Sequence, residues 1–176
     1  MILGFSTKFP KGKGILSGRK TLFPEKIIRS IQYLEEYKKM TLFDLLNEQK
    51  KEEDWIDISD FQDLKPKKHT IREDSKNRWK IGNVIDFFID VRTKNMFRFA
   101  PKLAVKSIQS IEITYDEEIC EAFAVEPVIF IDKKPIHLND YDVLAENDGF
   151  KDSQEFCHWF NEDFKGKIIH WTNLKY

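Results

Sequence analysis

Val105-Lys106-Ser107-Ile108-Gln109-Ser110-Ile111-Glu112-Ile113-Thr114 carries an apolar side chain at every second or third position. That is the pattern of a long strand with one buried face and a bend or bulge in its length. On its N-terminal side, Val84 to Val91 and Met96 to Phe99 flank Thr93-Lys94-Asn95, which predicts a hairpin. On its C-terminal side, Val128 to Ile131 and Ile136 flank the turn Asp132-Lys133-Lys134-Pro135, which predicts another. Ile2 to Phe5 reads as a short buried strand and Lys167 to Thr172 as a closing one.

Helices surround this β centre. Lys11 to Ser17 reads as a brief helix closed by Gly18, a residue that tolerates the left-handed cap conformation. Pro24 opens a stretch with Ile27, Ile28, Ile31 and Leu34 at helical spacing, predicting a helix to about Lys39. Thr41 and Asp44 resemble the cap of a second helix carrying Leu42, Leu45 and Leu46. With the irregular segment from Trp55 to Pro66, these make residues 22–68 an inserted helical hairpin within one domain spanning residues 1–176. Two further helices are expected near the end. One begins at Asn139-Asp140 and buries Val143, Leu144 and Ala145; the next has Asp152 and Glu155 at capping-box spacing, an apolar stripe of Phe156, Trp159 and Phe160, and Gly166 as its stop. Strands and segregated helices together give the α+β class.

At 176 residues, 41% hydrophobic and 34% charged, with fifteen Phe and four Trp, the chain has enough apolar material for a real core. No run approaches the roughly 18 apolar residues of a membrane span, and Met1 to Lys8 lacks the apolar region of a signal peptide, so a cytoplasmic location and no membrane partner are expected. Cys120 and Cys157 read as ordinary buried or half-buried thiols. Neither they nor His69, His137, His158 and His170 have zinc-like spacing, so neither metal nor cofactor is expected.

The net charge of −1 hides an asymmetry. No acidic residue precedes Glu25, whereas Lys8, Lys11, Lys13, Arg19 and Lys20 do; Lys65, Lys67, Lys68, Arg72, Lys76, Arg78 and Lys80 form a second basic region. Gly18-Arg19-Lys20-Thr21 and His69-Thr70-Ile71-Arg72 are two short clusters of basic and hydroxyl residues, and the fold is expected to join them in one cationic cleft. A locally basic face suits an anionic ligand. Arg19, Thr21, Arg72, Lys76 and Arg78 are the candidate nucleic-acid contacts, with Trp79 as a base-stacking platform. Plain structural roles compete: a solvated lysine-rich face, Arg72 paired with Glu73 or Asp74, and Trp79 at a core edge.

Ile15-Leu16-Ser17-Gly18-Arg19-Lys20-Thr21, Thr70-Ile71-Arg72, the Gly82 turn, Leu144-Ala145-Glu146-Asn147-Asp148-Gly149-Phe150 and Ile169-His170-Trp171-Thr172, in that order, resemble the ASCH family of PUA-like proteins. The resemblance covers most of the chain outside residues 22–68. It implies a closed or nearly closed β-barrel with packed helices, and RNA or a modified nucleoside or nucleotide as partner. It also implies an alternative: some members are hydrolases, either amidohydrolases acting on N4-acetylcytidine or ribonucleases. By motif position, the lysine, threonine and acidic residue of the amidohydrolase branch fall on Lys20, Thr70 and Asp148, with Asp in place of that branch's Glu. A lysine of lowered pKa taking a proton from a hydroxyl, and a carboxylate placing water or the leaving amine, is chemically coherent. Lys20 also reads as an exposed lysine, Thr70 as a strand residue and Asp148-Gly149 as a turn pair. A third expectation makes the helical insert a docking element for a protein partner.

Overall fold

A computed structural model describes residues 1–37, 64–123 and 125–176. Its strands form two sheets. In the smaller one, β1 (Ile2–Gly4) pairs in parallel with β3 (Val84–Ile89), which also pairs antiparallel with β4 (Phe97–Arg98) and β5 (Leu103–Ala104). The larger one has the order β2-β9-β6-β7-β8, antiparallel throughout: β2 (His69–Arg72), β9 (Phe164–His170), β6 (Ser107–Thr114), β7 (Val128–Ile131) and β8 (Lys134–Pro135). Among the described residues four α-helices accompany them: α1 (Phe23–Gln32), α2 (Glu117–Phe123), α3 (Tyr141–Asn147) and α4 (Ser153–Trp159).

The α+β class holds; the closed barrel does not. β2 and β8 end the larger sheet, and β1 ends the smaller, so both sheets are open among the described residues. The link between them is local: Val105 exchanges backbone hydrogen bonds with residues 82 and 83, and Lys106 N–H donates to His170 O at 2.8 Å. Closure would need longer pairing across that seam than the two-residue β5 supplies.

Sequence and packing agree in the hairpins. The long apolar-alternating stretch becomes β6, with Ile111 and Ile113 buried and Ser110 exposed. The helix expected from Pro24 to about Lys39 is α1, which stops at Gln32 and is followed by a 3-10 turn, Glu35–Tyr37. It buries Phe23, Ile27, Ile28 and Ile31 in the common core, each of the three isoleucines contributing at most about 1.5 to 3 kcal/mol. The helix expected over Lys11 to Ser17 is a single 3-10 turn, Gly14–Leu16, followed by Gly18 at φ 75. The second helix of the expected hairpin, and Trp55 to Phe61 after it, lie outside the described residues.

Aromatic contacts tie the sheets to the helices. Trp171 packs edge-on against Phe87 at 5.3 Å, and its indole N–H donates to Ser30 Oγ on α1 at 3.0 Å. Phe150 sits among Phe9, Phe23, Phe156 and Trp159, joining the start of α1 to α4. The expected cap of α4 is present, Glu155 N–H donating to Asp152 Oδ1 at 2.9 Å. Gly166 is not its stop: α4 ends at Trp159 and Gly166 lies in β9, where a Cβ would come within 2.5 Å of Arg72 O on β2. A glycine is needed there for close approach of two strands, not for a helix cap. No helix among the described residues is long and apolar enough to cross a membrane.

Candidate functional site

The open edge of β2 is covered by the loop that leaves α3. Lys68 N–H donates to Asn147 O at 2.8 Å, and Ile71 N–H donates to Asp148 Oδ1 at 3.2 Å. Asp148 therefore reaches β2 because it occupies the C-cap of α3, a position where a helix end disfavours negative charge. Lys67 compensates. Its ammonium lies 2.6 Å from Asp148 Oδ1, also donates to Asp148 O, and sits over the Phe23 ring at 4.7 Å. The pair is nearly sealed from solvent, at 2% and 5% side-chain exposure.

The turn geometry makes this closeness attainable. Gly149 has φ 91, and a Cβ there would meet Lys67 Cδ at 2.9 Å and the Phe23 ring at 3.0 Å. Glycine thus serves both the left-handed backbone and the passage of the lysine stem. Lys26 on α1 reaches the same turn, donating to Gly149 O at 2.6 Å.

Burial dominates the ionisation of the group. It pulls Lys67 down to about 8 against the pull of Asp148, and it lowers Lys26 against its neighbouring glutamates. Burial alone would push the Asp148 carboxyl up; the Lys67 ammonium outweighs it and holds the carboxyl below its ordinary range. His69 Nδ1 is 3.5 Å from Asp148 Oδ1, too long for a good hydrogen bond. Burial keeps this imidazole neutral by lowering its pKa despite the carboxylate. Its other nitrogen meets the Tyr176 hydroxyl at 2.8 Å.

The three residues assigned by motif position do not form one group. Asp148 is buried at the edge of β2. Thr70 is buried too, but strand alternation puts it on the opposite face of β2 from His69 and Ile71. Lys20 is exposed on the ribbon made by residues 7–9 and 18–21, and no hydrogen bond or ion pair takes it to Thr70 or Asp148. Lys67 is the lysine that meets the carboxylate.

The other expected contacts also scatter. Arg19 pairs with Glu155 at 2.9 Å. Thr21 is buried, donating to Ser6 O at 2.5 Å and accepting Phe23 N–H at the start of α1. Arg72 turns inward, donating to Gly4 O at 2.8 Å and lying over the Phe5 ring at 5.1 Å, so its expected pairing with Glu73 or Asp74 is replaced by a backbone contact. Trp79 is 5% exposed and offers no stacking face. Lys76 and Arg78 are exposed around a pocket of about 230 Å³ with Glu73, Asp74 and Ser75; Asp74 shapes that loop by accepting the backbone N–H groups of Arg78 and Trp79 and the ammonium of Lys167 at 3.0 Å. The two clusters are therefore not walls of one cleft: Gly18 to Lys20 is exposed, and His69 to Arg72 is a largely buried strand.

Sequence reasoning missed Lys67, Lys26, His170 and Tyr176. No protein-family model, no curated protein and no solved structure matches this chain. Its chemistry is read from its own residues. Among those described, no group of three or more His, Cys, Asp or Glu side chains is placed to hold a metal ion. Cys120 and Cys157 are half-buried thiols outside any disulfide. A separate pocket of about 440 Å³, lined by Ser30, Tyr33, Pro66, Lys68, Thr172 and Leu174, opens beside the strand that carries His69.

Proposed function

We propose that the protein binds RNA or a nucleotide through its exposed basic ribbon, in keeping with the ASCH-type motifs of its sequence. One observation carries this: Lys8 and Lys20 stand directly opposite each other in an antiparallel bridge, both exposed. Like charges in register repel. A phosphate group seated between them would turn that repulsion into two charge-assisted contacts. Lys11 is exposed on the same stretch, which contains no carboxylate before Glu25. The 440 Å³ pocket is of a size for a nucleoside and combines the exposed Tyr33 ring with Lys68.

The test is fluorescence anisotropy with a labelled single-stranded RNA over a series of salt concentrations. Binding should weaken as salt rises, and the double substitution Lys8→Ala with Lys20→Ala should reduce the log-log slope by roughly 0.7, the one phosphate that the two lysines share. Equal slopes for the two proteins would remove the argument.

A second reading, hydrolysis of a modified nucleoside such as N4-acetylcytidine, is favoured by the lowered pKa of Lys67, about 8, beside Asp148. Lys67 then replaces Lys20 as proton acceptor. Hydrolysis that survives Lys20→Ala and disappears with Lys67→Met would support it; no hydrolysis by the unsubstituted protein would end it.

A further inference from the structure

Across one end of β2, β9 and β6 in the larger sheet runs a row of polar side chains that sequence reasoning did not join. His69, His170 and Ser107 are register partners on β2, β9 and β6. They share one face, as does Gln109, two residues along β6. His69 and His170 are fully buried and Gln109 is 1% exposed. Both ring nitrogens of His170 and the Ser107 hydroxyl are buried without a hydrogen-bond partner among the described residues. Such groups are costly and call for a reason.

Tyr176 lies against this row. Its ring centroid is 5.5 Å from that of His69 and 6.0 Å from that of His170. Its hydroxyl meets His69 Nε2 and accepts Asn147 Nδ2 at 3.1 Å. Gln109 grips the backbone from both sides, accepting Tyr176 N–H at 2.8 Å and donating to Tyr176 O at 2.9 Å. The same C-terminal segment supplies Thr172 and Leu174 to the lining of the 440 Å³ pocket.

We propose that the His69–His170–Ser107 face is a binding site for the hydrogen-bonding edge of a planar heterocycle of the nucleobase class, and that Tyr176 fills it as an internal substitute. A neutral imidazole presents one donor and one acceptor. A nucleobase edge presents the same alternation, and an exocyclic oxygen or amine adds a group for Ser107 or Asn147. The phenol has a single hydroxyl, already shared by His69 and Asn147, and leaves His170 unpaired. A base entering where the ring now sits would pair groups that Tyr176 cannot. This rests on the nucleotide-binding reading above, but uses different residues from the Lys8 and Lys20 ribbon.

The test is calorimetric or NMR titration of the full chain with free cytosine and free adenine, with indole as a ring of similar size and poor hydrogen-bonding capacity. The unsubstituted protein should bind at least one base weakly. Tyr176→Phe keeps the ring but loses both hydroxyl bonds, and should bind that base about tenfold more tightly. Tyr176→Ala should bind it more tightly still, with indole well behind, and adding His170→Phe should cancel the gain. No base binding by Tyr176→Phe, an affinity equal to that of the unsubstituted protein, or equal uptake of indole and bases by Tyr176→Ala would overturn the proposal and leave Tyr176 as core packing. Salt-dependent RNA binding measured on the same variants reports separately on the Lys8 and Lys20 ribbon, so the two ideas fail independently.

Discussion

Replacing Lys67 by Met tests whether the buried pair at the β2 edge works as a unit. Met keeps most of the stem that passes Gly149 and Phe23 but removes the ammonium 2.6 Å from Asp148. What remains for the carboxylate is Ile71 N–H at 3.2 Å and the distant His69 nitrogen. Removing one partner of a buried pair typically costs about 3 to 5 kcal/mol, because an uncompensated charge stays behind. Asp148→Asn should cost less, since Lys67 can shed its proton once the carboxylate is gone. The double substitution should recover about 1 to 3 kcal/mol relative to the sum of the singles. Urea unfolding at pH 7 measures all three. The pH dependence adds an independent check. Lys67 falls from 10.5 to about 8 on folding, so between those values the unfolded chain holds a proton that the folded chain has lost, and stability rises with pH by up to about 1.4 kcal/mol per unit from this group. Lys67→Met should lack that rise. A Lys67→Met cost below about 1 kcal/mol, or strict additivity in the cycle, would refute the reasoning.

His170 is fully buried, and burial together with the neighbouring His69 lowers its pKa to about 3, against the pull of Asp132 and Asp148 and with Lys175 adding to the fall. The unfolded chain takes up a proton below pH 6.5 that the folded chain refuses, so stability should fall on acidification by about 2 kcal/mol at pH 5 from this residue alone; His170→Phe should flatten the profile by one proton, and an unchanged slope would contradict the assignment. Gly149→Ala meets both a positive φ and a Cβ 2.9 Å from Lys67, and should cost about 2 to 4 kcal/mol, whereas Gly12→Ala, at the same φ with nothing within 4 Å, should cost about 1; equal losses in thermal unfolding would show that the crowding is unimportant. Asp74→Ala removes the acceptor of two backbone N–H groups, so hydrogen exchange at the Arg78 and Trp79 amides should accelerate while that of Ile168 in β9 does not; retained protection would assign the loop's order elsewhere.

What the sequence made legible was local. The N-cap of α4 needs only Asp152 and the Glu155 amide three residues on, and it forms, with the Glu155 side chain accepting the Lys151 N–H. The hairpin around Asp132 to Pro135 needs only two apolar runs and a turn, and it forms as well. Gly166 shows where local signals stop, because a glycine after an amphipathic stretch reads as a helix stop whether or not the opposing Arg72 O forbids a Cβ. Barrel closure was of the same non-local kind: it depended on pairing between strands distant in the chain, and the seam at residues 105 and 106 is too short to make it.

Lys20 and Lys67 sharpen the point, since both lie in basic runs that read as solvated. Nothing within a few residues distinguishes them. The Lys67 partner comes from 81 residues further along, where Asp148 supplies the carboxylate and Gly149 leaves room for the Lys67 stem, while Lys20 faces Lys8 in water. The two lysines therefore divide what one had been expected to do. The exposed one has a like-charged neighbour and gains from any anion that enters between them, and the buried one has already found its anion. Chemistry at Lys67 would need that internal pair to be opened first, whereas binding at Lys20 needs no rearrangement, and this ordering is why we propose binding ahead of hydrolysis.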